Sequence, residues 1–551
     1  MNNKETFYLT TPIYYVNAAP HMGTSYTTVA SDALARFMRS NGKDVWYLTG
    51  LDEHGQKIVQ AAVSEGKEPQ QWVDEVAPKF KHAWKTLQIT NDDFIRTTEP
   101  RHIRGVQYFF EELHRKGHIY LDTYQGYYCV PDETFFSDEQ LSEFAEARET
   151  EGLPSKDAHG SPLCPDCARA LDYVEEENLF FRLSAFEQPL LDYYEAHPDF
   201  IQPEIRRNEV LSFVKGGLKD LSVSRTTFSW GVPIAFAPGH VSYVWVDALL
   251  NYITALGYGS DAPEDQEFFA KYWPAQIQFV GKDIIRFHCV IWPAMLMAAG
   301  LELPQTVFAH GFLLTKGEKM SKSKGNAKDP FVLIDIFGVD GYRYYFLRDV
   351  QFGTDGAISL ERMLQVYNAD LANSWGNLCS RALNMTAKYL GGSTPDIGEA
   401  AVSRLTEETG NPLAELVQGG LHARYAAALG SVDYSGAMDV AMELVDAANL
   451  YIEQSAPWTL AKAAEADPAQ ADRLAFVLYN VLESIRIIAA LFAPVMPESS
   501  AEVWRRLGLG DILAVDDQAA ACTWGGLSAG LVTTIGEPLF MRFSEDDIIF
   551  E

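Results

Sequence analysis

Several short segments of this chain carry residue types suited to handling a nucleotide. Pro20-His21-Met22-Gly23-Thr24 follows an apolar stretch, Thr6 to Thr11, and opens a helical pattern. At such a strand-to-helix junction a small Gly23 lets the backbone come close to a phosphate, and a ring nitrogen of His21 can donate to it. Lys319-Met320-Ser321-Lys322-Ser323 lies in a Gly- and Lys-rich stretch. Between 316 and 328, Lys316, Lys319, Lys322, Lys324 and Lys328 stand against the single acid Glu318. Such a loop can close on a departing pyrophosphate, although a lysine run by itself reads as a solvated surface. Gly281-Lys282-Asp283 follows the predicted strand 276–280. There Gly281 permits close backbone approach and Asp283 can accept from ribose hydroxyls, but the same tripeptide also makes an ordinary turn. Cys129-x2-Asp132 and Cys164-x2-Cys167 have the internal spacing of two zinc knuckles. Asp is a legitimate zinc ligand, so the expectation is one structural Zn²⁺ per chain on Cys129, Asp132, Cys164 and Cys167. With only three soft ligands of four, a metal-free remnant stays open.

The elements that must position these residues are legible from periodicity. Thr6–Leu9 reads as a strand, and a helix is predicted from about Gly23 to Ser40, with Val29, Ala33, Leu34, Phe37 and Met38 on one face. Asp44–Thr49 is the next strand. A strand–helix–strand unit of this kind gives a parallel pair whose carboxyl ends bind ligands, which puts Ile13, Tyr15, His21 and Asp52 on one rim. From about Tyr120 the pattern becomes β-rich. The α/β pattern returns at 242–246, 276–280 and 306–309. Beyond about 360 the period is 3.6, with helices near 411–428, 434–455, 457–465, 468–492 and 498–507. The fold class is therefore α/β, a Rossmann-type parallel-sheet domain with a β-rich insertion, followed by an all-α helical bundle. The expected divisions are 1–116 and 228–325 for the two halves of the catalytic domain and 117–227 for the insertion with its possible zinc knuckle. A linker region spans 326–362 and the helical domain 363–551.

Length and composition bound this picture. The 551 residues suit about three or four domains, and an apolar fraction of 47% is ample for several cores. The formal charge, 44 − 75 = −31, argues against non-specific polyanion binding, so any RNA site is a local basic patch and DNA is not an expected partner. Six cysteines are too few and wrongly spaced for a secreted disulfide scaffold. The N-terminal residues lack a signal-peptide pattern. The longest apolar run, Ile487 to Met496, falls short of the roughly 20 residues a membrane span needs. A cytoplasmic protein with no membrane partner is expected.

The first two segments, in this order, resemble the HIGH and KMSKS signatures of class I aminoacyl-tRNA synthetases. Thr11-Pro12-Ile13-Tyr14-Tyr15-Val16-Asn17 and Leu48-Thr49-Gly50-Leu51-Asp52-Glu53-His54-Gly55 are similar to the bacterial methionyl-tRNA synthetases in particular. So are Tyr243-Val244-Trp245-Val246-Asp247-Ala248, Val280-Gly281-Lys282-Asp283, Phe287-His288 and Ile291-Trp292-Pro293-Ala294-Met295. The likeness covers essentially the whole chain. It implies a monomeric ligase of protein biosynthesis that acts on L-methionine, ATP with Mg²⁺, and tRNA(Met).

A methionine pocket needs an anion for the α-ammonium, which Asp52 suits. It also needs an apolar, polarizable sleeve, which Ile13, Tyr15, Trp245, Ala248, Leu249 and Tyr252 suit. By itself the Trp245/Tyr252 spacing is equally that of ordinary core. The resemblance implies that His288 also lines the pocket. It implies ATP binding by His21, Gly23, Thr24, Gly281, Asp283 and Lys322, with His21, Thr24, Lys319 and Lys322 catalytic. Thr24 stands where the family usually has a second histidine, and a threonine cannot carry positive charge. In the helical domain the resemblance puts Asn377, Arg381 and Trp458 at anticodon-recognition positions, residue types that stack on and hydrogen-bond to unpaired bases. Other readings stay open: a related synthetase such as the cysteinyl enzyme, a small-molecule nucleotidyltransferase, or an idle RNA-binding paralogue.

Overall fold

A computed structural model describes residues 4–17, 19–129, 134–136, 138–315, 318–319, 330–544 and 547. Its centre is a seven-stranded sheet. The path runs Tyr14–Tyr15, Asp44–Asp52, Thr6–Thr10, Ile277–Gly281, Val307–His310, Ile201–Gln202, and Asp93–Arg96 pairs beside Asp44–Asp52. Every pairing is parallel. Thr6–Thr10 has Asp44–Asp52 on one side and Ile277–Gly281 on the other, so the order reverses there and a crevice opens beyond the strands' carboxyl ends.

Alternation along the strands builds two cores. Leu9, Tyr47, Leu51, Phe279 and Phe308 face one cluster with the helix Met22–Ser40. Tyr8, Leu48, Val280, Val307 and Ala309 face the other. Both faces of a parallel sheet are covered, which is why these strands read as near-continuous apolar runs.

A four-stranded antiparallel sheet lies outside this core, with the long strands Ile119–Cys129 and Asp172–Phe181 paired over ten positions. The span 117–227 is less purely β than expected. Helices Asp138–Thr150, Glu187–Ala196 and Glu204–Lys215 lie within it, and Ile201–Gln202 belongs to the parallel sheet. The run 242–246 is also not a sheet strand. Only Val241–Ser242 pairs as a strand, in a separate two-stranded ladder, and a helix follows at Val244–Leu249. Short apolar runs carry no decisive period, so tertiary contacts decided this one.

The C-terminal part is helical through Arg506, with Tyr434–Ser455, Pro468–Phe492 and Pro497–Arg506 as its main members. The 3.6 period then fails. Residues 508–544 hold only short turns of helix and fold back, with Val532 bridging Ser393. Pro468–Phe492 is long and apolar enough to cross a membrane by length and composition, but 89% of its apolar window is buried inside the protein.

The helical segment Pro330–Arg348, broken by a kink at Gly338, joins the two parts. Arg343 is fully buried there, and its guanidinium donates to Asp32 Oδ2 (2.6 Å), Leu87 O (3.0 Å), Val495 O (2.7 Å) and Pro494 O (3.1 Å). Asp32 also accepts from Arg36 and twice from Thr90. Burial pushes its carboxyl up, but the Arg36 and Arg343 charges outweigh that and hold it at about 2. Tyr434 O–H donates to Ala30 O at 2.6 Å. The helix that opens with His21 is thereby fastened to the helical domain by buried polar contacts.

Candidate active site

The crevice encloses about 260 Å³. Two groups of the expected residues line it. Ile13, Tyr15, Asp52, Trp245, Ala248, Leu249, Tyr252 and His288 form one half, and His21, Gly23, Thr24, Gly281 and Asp283 the other. Pro12, Tyr14, Tyr26, Thr27, Asn251, Ile284, His310, Gly311, Phe312 and Leu313 complete the wall.

His21 is the N-cap of Met22–Ser40, with extended backbone, and its Nδ1 accepts from Gly23 N–H at 3.0 Å. An accepting Nδ1 puts the neutral ring's proton on Nε2. A Cβ on residue 23 would come within 2.9 Å of His21 Cε1, so glycine is what lets the ring fold over its own helix terminus. Thr24 completes the cap, accepting from His21 N–H (3.0 Å) and donating to His21 O (2.8 Å). Its one hydroxyl proton is thus engaged by the backbone of the residue it helps to orient. The Thr24 peptide is itself held, through its carbonyl, by Tyr14 O–H at 3.2 Å.

Asp52 ends the strand Asp44–Asp52, opposite Tyr15 in register, and is 2% exposed. Trp245 stacks on Phe287 with centroids 4.1 Å apart. His288 donates from Nδ1 to Ile284 O (3.0 Å), so its Nε2 accepts from Tyr252 O–H (2.7 Å). Burial lowers the His288 pKa to about 4 and raises that of Tyr252, so both are neutral near pH 7. This half therefore combines one buried carboxylate with an uncharged aromatic wall. Such a wall suits a side chain that is apolar and polarizable.

Gly281 ends its strand with Asp283 close above it: a Cβ there would lie 2.5 Å from Asp283 Oδ1. Gly311 allows a still closer approach, since its Cβ would meet the Thr354 carbonyl at 2.1 Å. The strand Leu313–Thr315 leaves this rim and pairs with both Glu318–Lys319 and Gly356–Ala357. Lys319 therefore stands on a short hairpin rooted at the crevice. Lys322 lies outside the described residues.

Sequence reasoning missed His310 and the glycine after it. The usable signal was the one applied to Gly281, since Ala309-His310-Gly311 also ends a strand of the same sheet. Thr27 Oγ1 sits 2.7 Å from His310 Nε2, joining the first helix to that strand end.

Cys129, Cys164 and Cys167 cluster far along the chain's antiparallel sheet, with all three Sγ atoms within 4.8 Å of one another. Cys129 and Cys167 Sγ are 3.6 Å apart, and Asp166 N–H points at Cys164 Sγ (3.3 Å). Thiolates about 2.3 Å from a tetrahedral metal lie about 3.8 Å apart, so three ligand corners fit. Asp132 lies outside the described residues. At the far end of the helical domain, Asn377 is exposed at the start of Asn377–Leu390 and Arg381 pairs with Glu453. Glu453 is on the helix that ends just before Trp458, which is 41% exposed.

The family model described as tRNA synthetases class I (M) matches residues 7–383, and that of the anticodon binding domain of methionyl tRNA ligase matches 404–549. The chain belongs to the class I methionine–tRNA ligases. It is 45% identical to the methionine–tRNA ligase of Thermotoga maritima over 98% of this chain and 81% of that one. Against the Bacillus subtilis ligase it is 45% identical over 99% and 79%. Among solved structures, Mycobacterium tuberculosis methionyl-tRNA synthetase in complex with methionyl-adenylate superposes with a TM-score of 0.87, 41% identity, and coverage of 98% of this chain and 100% of that one. With the family known, the crevice at the sheet's reversal point is the candidate active site of a ligase, and the helical part is its anticodon-binding domain.

Proposed function

We propose that the crevice carries out the family reaction. Methionine and ATP give methionyl-adenylate and pyrophosphate, and the methionyl group then passes to the 3′ end of tRNA(Met). The observation that carries this reading is the meeting, in one cleft, of a buried carboxylate, a neutral aromatic sleeve and a glycine-lined helix terminus.

Asp52 accepts from the α-ammonium group of methionine, while Ile13, Tyr15, Trp245, Ala248, Leu249, Tyr252 and His288 enclose its thioether. Asp283 accepts from the ribose hydroxyls of ATP, whose triphosphate approaches the backbone at Gly23 and Gly281. A methionine carboxylate oxygen attacks the α-phosphorus, and the bond to the β,γ-pyrophosphate breaks. His21 donates from Nε2 to the phosphate as charge builds, held in that tautomer by Gly23 and in that place by Thr24. Lys319 and Lys322 compensate the departing pyrophosphate. Catalysis is by position and electrostatics, without a protein nucleophile. Mg²⁺ accompanies ATP and offsets phosphate charge. In the second step a terminal ribose hydroxyl, the 2′ one by class resemblance, attacks the acyl carbon and AMP leaves.

Asn377, Arg381 and Trp458 contact the anticodon. Cys129, Cys164 and Cys167 would hold a structural Zn²⁺, with Asp132 as the fourth ligand by its sequence spacing. The protein acts as a cytoplasmic monomer.

Methionine-dependent exchange of labelled pyrophosphate into ATP tests the assignment. The parent chain should exchange, and Asp52→Ala should lose about thirtyfold to nine-hundredfold, as expected for a lost charge-assisted contact of about 2–4 kcal/mol. Near-normal exchange by that variant would remove Asp52 from the ammonium site.

A further inference from the structure

Behind the methionine half lies a buried cluster that the reaction above does not use. Asp247 is fully buried, and both of its oxygens accept from histidines: Oδ2 from His54 Nδ1 (2.6 Å) and Oδ1 from His102 Nε2 (2.7 Å). The other nitrogen of His102 sits 2.7 Å from Thr254 Oγ1. Burial raises the Asp247 carboxyl, but His54 and His102 outweigh it and hold it at about 2, so the carboxylate is charged.

Asp247, His54 and Thr254, the partner of His102, each belong to or adjoin a segment that supplies a wall of the sleeve. Asp247 is on the helix Val244–Leu249, which presents Trp245, Ala248 and Leu249. His54 follows Asp52 closely in the chain, and its carbonyl accepts from Tyr15 O–H (3.3 Å). Thr254 ends the helix Asn251–Thr254 that presents Tyr252. His102 comes from the helix Pro100–Arg115, behind all three. That helix can approach only because Gly105 has no side chain, since a Cβ there would meet Thr254 Cγ2 at 2.3 Å. None of His54, His102 or Asp247 lines the crevice.

We infer that the His54–Asp247–His102 cluster is a positioning device that sets the width of the methionine sleeve by locking its three wall segments to one buried carboxylate. Two short hydrogen bonds to a buried anion resist displacement, because moving either histidine leaves one carboxylate oxygen without its donor in a dry site. The inference deepens the functional reading above and rests on it. It assigns the three residues to methionine selection and leaves the ATP half, built at His21, Gly23 and Gly281, independent of them.

The test is exchange kinetics with methionine and ATP varied separately on the full chain. His54→Ala and His102→Leu should raise the methionine KM at least tenfold while the ATP KM stays within twofold. His54→Asn and His102→Gln, whose amide nitrogens stand in for Nδ1–H and Nε2–H, should return the methionine KM to within about threefold of the parent. Discrimination against the close analogues ethionine and norleucine should fall in the Ala and Leu variants. A merely structural role would lower thermal stability and shift both KM values together, in the amide variants as well. If His102→Leu does not fold, the His54 pair and His102→Gln decide. An unmoved methionine KM in folded His54→Ala, or equal shifts for both substrates, overturns the positioning role alone. Absence of exchange in the parent overturns the functional reading beneath it.

Discussion

Two buried carboxylates hold this molecule together in different ways. Asp32, on the helix that His21 opens, is paired with Arg36 and Arg343 at the junction with the helical domain. Asp247, behind the sleeve, is paired with His54 and His102. Both are drained of solvent and both are held at about 2. The difference lies in the partners. Guanidinium keeps its charge at every accessible pH and offers a rigid fork, so one Arg343 side chain ties Asp32 to three backbone carbonyls in two other segments. Imidazole offers only two ring nitrogens, so each histidine joins Asp247 to at most one further group, as His102 joins it to Thr254. The junction is a strut built on one cation, and the sleeve a lock built on two rings around one carboxylate.

Breaking the strut should have the largest effect. Arg343→Met removes one of the two cations on Asp32, leaving Arg36 alone, and takes the guanidinium from three carbonyls; removing one partner of a buried ion pair typically costs about 3–5 kcal/mol. Urea unfolding followed by circular dichroism should show that loss. A midpoint unchanged from the parent would mean that the junction is held by apolar packing alone.

Acid should separate the two regions next. His288 has a folded pKa of about 4 against an ordinary 6.5. Below pH 6.5 the unfolded chain therefore binds a proton that the folded chain refuses, and stability falls with falling pH until about 4, by about 3 kcal/mol. The carboxylates act in a lower window. Asp32 and Asp247 are depressed from 3.8, so their contributions are complete above that value and are lost as pH falls toward about 2. Stability measured at pH 7, 5 and 4 should therefore slope downward in the parent. The slope should flatten in His288→Gln, whereas Arg343→Met should keep it. A slope identical in the parent and His288→Gln would contradict the buried neutral state assigned to this ring.

The smallest effect tests the junction's edge. Ser499 donates from N–H and Oγ to the buried Asp340 Oδ2, both at 2.6 Å, near the start of the helix Pro497–Arg506. Ser499→Ala removes one of the two bonds and should cost about 1 kcal/mol by urea unfolding, without affecting pyrophosphate exchange.

Much of the candidate site was legible because it is local. His21, Gly23 and Thr24 form one helix terminus, and a terminus is a short-range object whose cap and first turn are adjacent in sequence. The strand–helix–strand unit around it follows from period alone. The rim logic also carried Asp52 and Gly281, since parallel strands bind ligands at their carboxyl ends. It was not applied to His310-Gly311, where the same logic held. The helix at Val244–Leu249 was hidden, because six residues, five of them apolar, are too few to show a period.

The sequence by itself determined which chemistry is on offer: a helix terminus for phosphate, a strand-end carboxylate for an ammonium, three cysteines at knuckle spacing, and a long helical C-terminal part. Only the tertiary structure decided what those groups do to one another. Thr24 stands in the signature as a candidate phosphate donor, and the fold turns its proton back onto His21. His54, His102 and Asp247 are scattered along the chain, and the fold closes them into one buried cluster. The physical reason is range. Caps, turns and alternation act between neighbours and leave their mark in sequence. Burial, tautomer and the pairing of charge are set by whatever the folded chain brings alongside, often hundreds of residues away, as Arg343 is brought to Asp32.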